Sequence, residues 1–490
     1  MPASATERTR SPTGLRIGID TELPARIAAG KGNALFIAGW CFAESRILRL
    51  ELVLGDERTA AMAFALPRAD LEAELAAEHA YLSGFWGIVP IHEHPDTTRA
   101  ELSLAAVLDD GSEIVEKVAG IELGAAPAPV EPPGPEGEIA ICMATFEPPA
   151  DLFQRQVDTI RAQTHTDWIC LISDDNSSPH AFAAIERVVG GDPRFLVSRS
   201  ERRLGFFSNF ERALSMAPAS ARFIALADQD DSWYPEKLQV LKASIGDAAI
   251  AYGDARVVDR EGNLLSSTYW SHRRNNWTNF ASLLLANCVS GPAALYRREL
   301  LEVALPFPVA KAGFFHDHWL AVAALAGGRI AYIDRPLYDY VQHSSAVLGH
   351  ERAHAWAKRL RGPAAKARLF ARDPQFYYRH WQTTYFSEYI RAAVMARVLL
   401  MRCEPSLSPG KRRALRRLAG ADRSFAAIAW LLARRLRTPF GLGETLRAER
   451  RLLQAFVWRY LLERATPRLA RPSRWLPCDA SFRGRQRDEP

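Results

Sequence analysis

"FIALADQDDSWYPEKL", residues 223–238, decides the fold. Five apolar residues, Phe223 to Ala227, run straight into Asp228, Gln229, Asp230 and Asp231, and a second apolar-patterned run follows Pro235. A short, fully apolar run has the pattern of a strand buried on both faces, as in an α/β sheet covered by helices. Three carboxylates within four positions repel one another, and a helix cap accounts for only one of them. A hard divalent cation such as Mg2+ or Mn2+ relieves that repulsion, because it takes carboxylate and phosphate oxygens together.

The same pattern recurs on both sides of this stretch. "IAICMA" precedes "LFQRQVDTIRAQ", "WICLIS" precedes "HAFAAIERVVG", "RFLVSR" precedes "FSNFERALSMA", and "AAIAYGD" follows the helix after Pro235. Alternating strands and helices predict an open, mostly parallel α/β sheet over residues 139–350. Ligands of such sheets bind beyond the carboxyl ends of the strands. Three of those ends are polar here: Thr145-Phe146-Glu147, Asp174-Asp175-Asn176-Ser177-Ser178, and Asp228 to Asp231. There is no GxxxxGK[ST] phosphate loop and no GxGxxG after a strand, so neither a P-loop nor a Rossmann dinucleotide site is expected.

Residues 15–123 read differently, as short runs broken by Gly, Asp and Pro, with a hairpin signal at Asp109-Asp110-Gly111, and predict a β-sandwich-like domain. "LEAELAAEHA" adds a helical turn or two, and Trp40, Phe85 and Trp86 are expected to be core aromatics rather than a sugar platform. Residues 1–14 are polar and expected to be disordered, and the Pro/Gly-rich residues 124–138 form a linker. Residues 351–490 are helical and basic, with 31 Lys+Arg against 11 Asp+Glu, while the other 350 residues hold 31 against 45. Within them "SFAAIAWLLARRLR" and "LLQAFVWRYLLER" combine an apolar stripe, a Trp and arginines. That pattern suits either a helix lying on an anionic membrane surface or a helical cap on the α/β domain. Nucleic acid is not expected as a partner, since no zinc or aromatic RNA-binding motif accompanies the charge. Six scattered cysteines, no secretory leader and no apolar run long enough to span a bilayer point to the cytoplasm.

Five blocks then carry a resemblance: residues 139–178, 204–217 ("LGFFSNFERALSMA"), 223–238, 287–300 ("NCVSGPAALYRREL") and 314–349 ("FFHDHWLAVAALAGGRIAYIDRPLYDYVQHSSAVLG"). In that order they resemble family 2 glycosyltransferases, and most of all the bacterial rhamnosyltransferase-like subgroup. The resemblance covers about residues 139–350. It implies the GT-A fold, a single mixed sheet with a nucleotide half and an acceptor half, and sugar transfer with inversion from a UDP- or dTDP-sugar.

The site residues it implies are these. Thr145 and Glu147 sit where the first strand meets the nucleotide, and Asp174 or Asp175 reads the uracil or thymine N3–H. Asp228 and Asp230 correspond to the DxD pair at the ribose and the metal, with Asp231 beside them, and His343 lies near the diphosphate and metal. Gly291, after Asn287, belongs to the acceptor side, and Asp317 corresponds to the general base, with His316 and His318 as weaker candidates. Arg203 replaces a frequent Asn where it can meet a phosphate, while Phe146-Glu147 and Val341 depart from the usual pattern. The expected function is thus a metal-dependent inverting glycosyltransferase of cell-surface polysaccharide synthesis. It would act on a glycan or lipid-linked acceptor from the inner membrane face. The competing reading is a non-catalytic, lectin-like glycan-binding protein with a decayed transferase domain.

Overall fold

The apolar runs from residue 139 onward pair into one nine-stranded sheet in the computed structural model. The structure describes residues 14–75, 80–94, 96–125, 136–271, 273–309, 314–343, 371–373, 375–437, 443–465, 480 and 482. The strand order is Phe195–Arg199, Trp168–Asp174, Ile139–Thr145, Phe223–Ala227, Ala294–Arg297, Ile250–Asp259, Ile330–Gln342 and Ser232–Trp233, with Leu264–Ser266 paired off this path. The first four strands are parallel to one another. Ala294–Arg297 then enters antiparallel between Phe223–Ala227 and Ile250–Asp259, so the sheet is mixed rather than mostly parallel.

That one reversal matters for the site. An antiparallel strand starts where its neighbour ends, so the loop leading into Ala294 lies at the same edge as Asp228. The short pairing of Ser232 with Asp339 and Trp233 with Tyr338 brings the end of Ile330–Gln342 back beside the acids. Helices cover the sheet because their apolar faces recur at helical spacing. Ala150–Arg161 buries Leu152, Phe153, Val157 and Ile160, and Phe206–Ser215 buries Phe210, Ala213 and Leu214.

Residues 16–124 build two further sheets. One has the order Arg16–Ile19, Asn33–Phe42, Leu82–Ile91, Ala63–Pro67, and the other Arg26–Ala28, Glu113–Gly124, Thr98–Leu108, Ile47–Leu54, Glu57–Ala60. Leu35, Ile37, Phe85 and Val89 of the first share a core with Leu50, Leu52, Leu102 and Leu104 of the second. The opposite face of the first sheet is buried as well, which is why Asn33–Phe42 reads as nearly continuous apolar sequence. Phe85 and Trp86 are core aromatics, and Trp40 stacks on Phe42 at 5.8 Å. The described residues of "LEAELAAEHA" contribute to the short helix Ala69–Leu75, and residues 76–79 lie outside the described residues.

The basic C-terminal part is not a detached appendage. Helix Ile390–Cys403 is almost wholly buried, and the Trp458 ring of Ala448–Ala465 stacks on Trp86 at 6.2 Å. The expectation that this Trp sits at a membrane interface fails, because Trp458 and the neighbouring Arg459 are both enclosed. Arg459 pairs with Asp422 at 2.8 Å, and Tyr385 and Tyr389 each donate a hydroxyl to the same carboxylate at 2.6 Å. Arg402 binds the carbonyls of Gly32, Val303, Ala304 and Pro306 at 2.7–3.2 Å, tying the N-terminal sheets to the nine-stranded sheet domain. The expected N-terminal tail falls almost entirely outside the described residues, as do most of the linker and the start of the C-terminal region.

Arg402→Met keeps the stem and removes its donors from four carbonyls, of which Ala304 retains Trp319 Nε1 at 2.9 Å. A loss of at least about 3 kcal/mol is expected. It is checked by a fall in the thermal unfolding midpoint.

Candidate active site

Register sets the site. Thr145 lies opposite Asp174, and Met143 opposite Ala227, so three parallel strands end side by side and deliver their polar residues to one edge. The first two ends are cross-braced. Thr145 Oγ1 donates to Asp174 Oδ1 at 3.2 Å, and that carboxylate also accepts from the Ser177 hydroxyl at 2.6 Å and the Ser177 N–H at 3.0 Å. Asp175 accepts from the backbone N–H groups of Leu204 at 2.5 Å and Gly205 at 2.9 Å. Gly205 has φ +83°, a left-handed conformation that glycine adopts without strain.

Glu147 is exposed at the first strand end. Its φ of +42° turns it across the edge, and its carboxylate accepts from Ser178 N at 2.5 Å and Ser178 Oγ at 3.2 Å. Glu147 therefore braces the N-terminus of Pro179–Val189, where a negative charge is favoured. Arg203 is exposed and stacks its guanidinium 4.0 Å above the Phe146 ring.

The third end is the acidic one. Gln229 exchanges two hydrogen bonds with the Phe146 backbone, at 2.8 and 3.1 Å, and so fastens the acidic turn to the first strand end. Asp230 Oδ2 lies 2.7 Å from His343 Nε2. Burial first, then the charges of Asp230 and Asp317, pushes the Asp228 carboxyl up to about 8. Asp231 points the other way: it is fully buried, and Oδ1 accepts from Val341 N at 3.3 Å. Burial and the two neighbouring acids raise it well above the usual carboxylate range.

Lys237, fully buried one turn further on, is the positive group that faces Asp231 and Asp228. Its Nζ sits 3.1 Å from the centre of the Trp233 ring and 5.3 Å from that of Tyr338. Burial drives this amine well below the usual lysine range, while the two acids hold it up. Sequence reading missed Lys237, since a lysine following Pro-Glu at a helix start looks like an ordinary exposed charge. Gln229, lodged between acids, gave no separate signal either.

Asp317 faces the acids from the opposite side. It stands in the first turn of His316–Gly327, and its Oδ1 accepts from the His318 N–H at 2.6 Å. Gly291 N–H and the Asn287 side chain also bond it, but burial outweighs them and raises it to about 6. Gly291 has to be small here: a Cβ would come within 3.0 Å of His316 Nε2 and 3.7 Å of the Asp317 Cβ. The flanking histidines are buried and held near pKa 3 by burial, so both are neutral at pH 7. His316 stacks on Phe210 at 3.6 Å, and His318 Nε2 meets the Leu283 carbonyl at 2.6 Å.

Among the described residues, no three His, Cys, Asp or Glu side chains converge to cage a metal. Two carboxylates, Asp228 and Asp230, remain at the acidic edge once Asp231 is enclosed. That donor set fits Mg2+ or Mn2+, which take one or two protein carboxylates and complete their shell with phosphate and water.

Residues 140–305 match the family model described as Glycosyl transferase family 2. That segment is similar to family 2 glycosyltransferase domains. An uncharacterised glycosyltransferase of Methanocaldococcus jannaschii is 25% identical over 131 residues, which span 26% of this chain and 44% of that protein. Among solved structures, Staphylococcus aureus TarS 1–349 with UDP-GlcNAc overlaps 68% of this chain and 92% of its own, at 13% identity and a TM-score of 0.39. A Pyrobaculum calidifontis mannosyltransferase with GDP-Man and Mn2+ overlaps 69% and 90%, at 16% identity and a TM-score of 0.36.

Lys237→Met takes away the positive group that faces Asp231 and is expected to destabilise the fold by about 1–3 kcal/mol. Asp231→Asn combined with Lys237→Met removes both charges and should recover most of that loss. Urea unfolding of the single and double variants measures the difference.

Proposed function

We propose that the protein transfers a sugar, with inversion, from a UDP- or dTDP-sugar to a hydroxyl of a glycan or lipid-linked acceptor. The carrying observation is the geometry of one edge: Asp228 and Asp230 end a central strand, and Asp317 approaches them from the antiparallel side closely enough to raise Asp228. In this reading the family 2 domain has the GT-A arrangement, and the rhamnosyltransferase-like motifs favour a deoxysugar donor. The setting is the cytoplasm at the inner membrane face, in the synthesis of a cell-surface polysaccharide such as lipopolysaccharide. A decayed, lectin-like protein is not favoured, since the acids remain assembled at one edge.

Asp317 is the general base. Its carboxylate takes the proton of the acceptor hydroxyl as that oxygen attacks the anomeric carbon, and the bond from that carbon to the diphosphate oxygen breaks. Gly291 N–H and Asn287 hold the carboxylate in place, and its raised pKa makes it a better base than a free aspartate. Asp228 and Asp230 would hold the divalent metal, with His343 steadying Asp230. When bound, that cation neutralises the charge that develops on the departing diphosphate. Asp231 supports the pair from behind through Val341 and Lys237.

On the nucleotide side Thr145, Glu147 and Asp174 shape the edge. Asp174 accepts three hydrogen bonds, two of them at Oδ1, whereas each oxygen of Asp175 accepts one, so Asp175 keeps more capacity for the base N3–H. Arg203, stacked on Phe146, is placed to meet a phosphate.

A screen of sugar nucleotides, read as nucleoside-diphosphate release across acceptors and metals, tests the reading directly; intact donors throughout would overturn it. Asp317→Asn should lower turnover by about 10²–10⁴-fold while nucleotide binding persists. Asp230→Ala should abolish the metal dependence of nucleotide binding in calorimetry. Turnover should decline as pH falls through about 6, where Asp317 takes up a proton.

A further inference from the structure

The two C-terminal helices that look alike in sequence are sorted by burial into different roles. Ala448–Ala465 turns its Trp into the core, whereas Phe425–Arg437 keeps an apolar face turned outward. Phe425 is 87% exposed, Leu436 74% and Leu432 47%, and Ala429 between them is exposed too. Positions 425, 429, 432 and 436 fall on one helical face. The opposite face is anchored, with Ala427 and Leu431 fully buried. No acidic residue occurs between residues 424 and 437.

The exposed charges of this helix and of the start of the next are arginines, while Glu463, beside Arg423 ahead of the helix, pairs with Arg459. Arg437 at the helix end and Arg447 and Arg450 at the start of the next helix are exposed. The acids at this corner are held inward: Glu449 by Arg434 at 3.3 Å, and Glu444 by Asn279 at 2.9 Å and Ser282 at 2.7 Å. The 13-residue helix is too short to cross a bilayer, and among the described residues no helix is long and apolar enough to do so. An outward apolar face rimmed by arginines is suited to lie in the headgroup region of an anionic bilayer.

We propose that the outward face of Phe425–Arg437 docks the protein on an anionic lipid surface, with Phe425, Leu432 and Leu436 inserted and Arg437, Arg447 and Arg450 at the phosphates. None of Phe425, Leu432, Leu436, Arg437, Arg447 and Arg450 is among the residues assigned to the transfer site.

The test is co-sedimentation of the full chain with vesicles of phosphatidylcholine alone or with one-third phosphatidylglycerol. Binding to the anionic vesicles is expected, weakening as salt rises from about 0.05 M to about 0.5 M. The variant F425S/L432S/L436S should lose it by roughly tenfold or more, with circular dichroism unchanged. R447Q/R450Q should weaken binding to anionic vesicles only. Wild type remaining in the supernatant overturns the proposal. So does a triple variant that still binds, or a wild-type dimer that the triple variant turns into a monomer, which would mean that a second copy covers the face. None of these measurements needs a sugar nucleotide, so their failure leaves the transfer reading standing.

Discussion

Like charges crowded at the end of one buried strand are the constraint around which the catalytic half is arranged. Asp228, Asp230 and Asp231 cannot all face the same space without a cation. The chain answers by dividing them: Asp231 is turned into the interior toward Lys237, and the other two are left at the edge. Much of the local structure follows from that division. Trp233 lies under the Lys237 ammonium and pairs with Tyr338, and that pairing carries the following residues back toward Asp230. Gln229, between the acids, uses both ends of its amide to hold the turn against Phe146.

Enclosing Asp231 and Lys237 costs desolvation on both sides: burial raises the acid and lowers the amine, so each is pushed toward its neutral form. The turn that encloses Asp231 against Val341 leaves Asp228 and Asp230 at the edge, with Asp230 beside His343.

The wider fold depends on arginines in a second way. The +20 excess of the last 140 residues reads as a surface property, yet Arg402 and Arg459 are among the most enclosed side chains of the molecule. Arg402 satisfies four carbonyls from two separate parts of the chain, and Arg459 with Asp422 sits at the junction near Trp86. Charge counting cannot separate such arginines from those on an exposed rim, because the same side chain serves as a buried donor to carbonyls or as a solvated cation.

The sequence by itself determined the α/β alternation from residue 139, the polar strand ends, and the order of motifs matching a family 2 glycosyltransferase, because apolar periodicity and local motif spacing are properties of neighbouring residues. Tertiary structure alone decided which acids face the site and which are braced inside. It also turned Glu147 into a brace for Ser178, reversed the strand Ala294–Arg297 so that Gly291 and Asn287 reach Asp317, and sent Trp458 inward while Phe425 stayed out. Each of those outcomes depends on contacts between residues far apart in the chain. Their energies come from burial and pairing that no local pattern records.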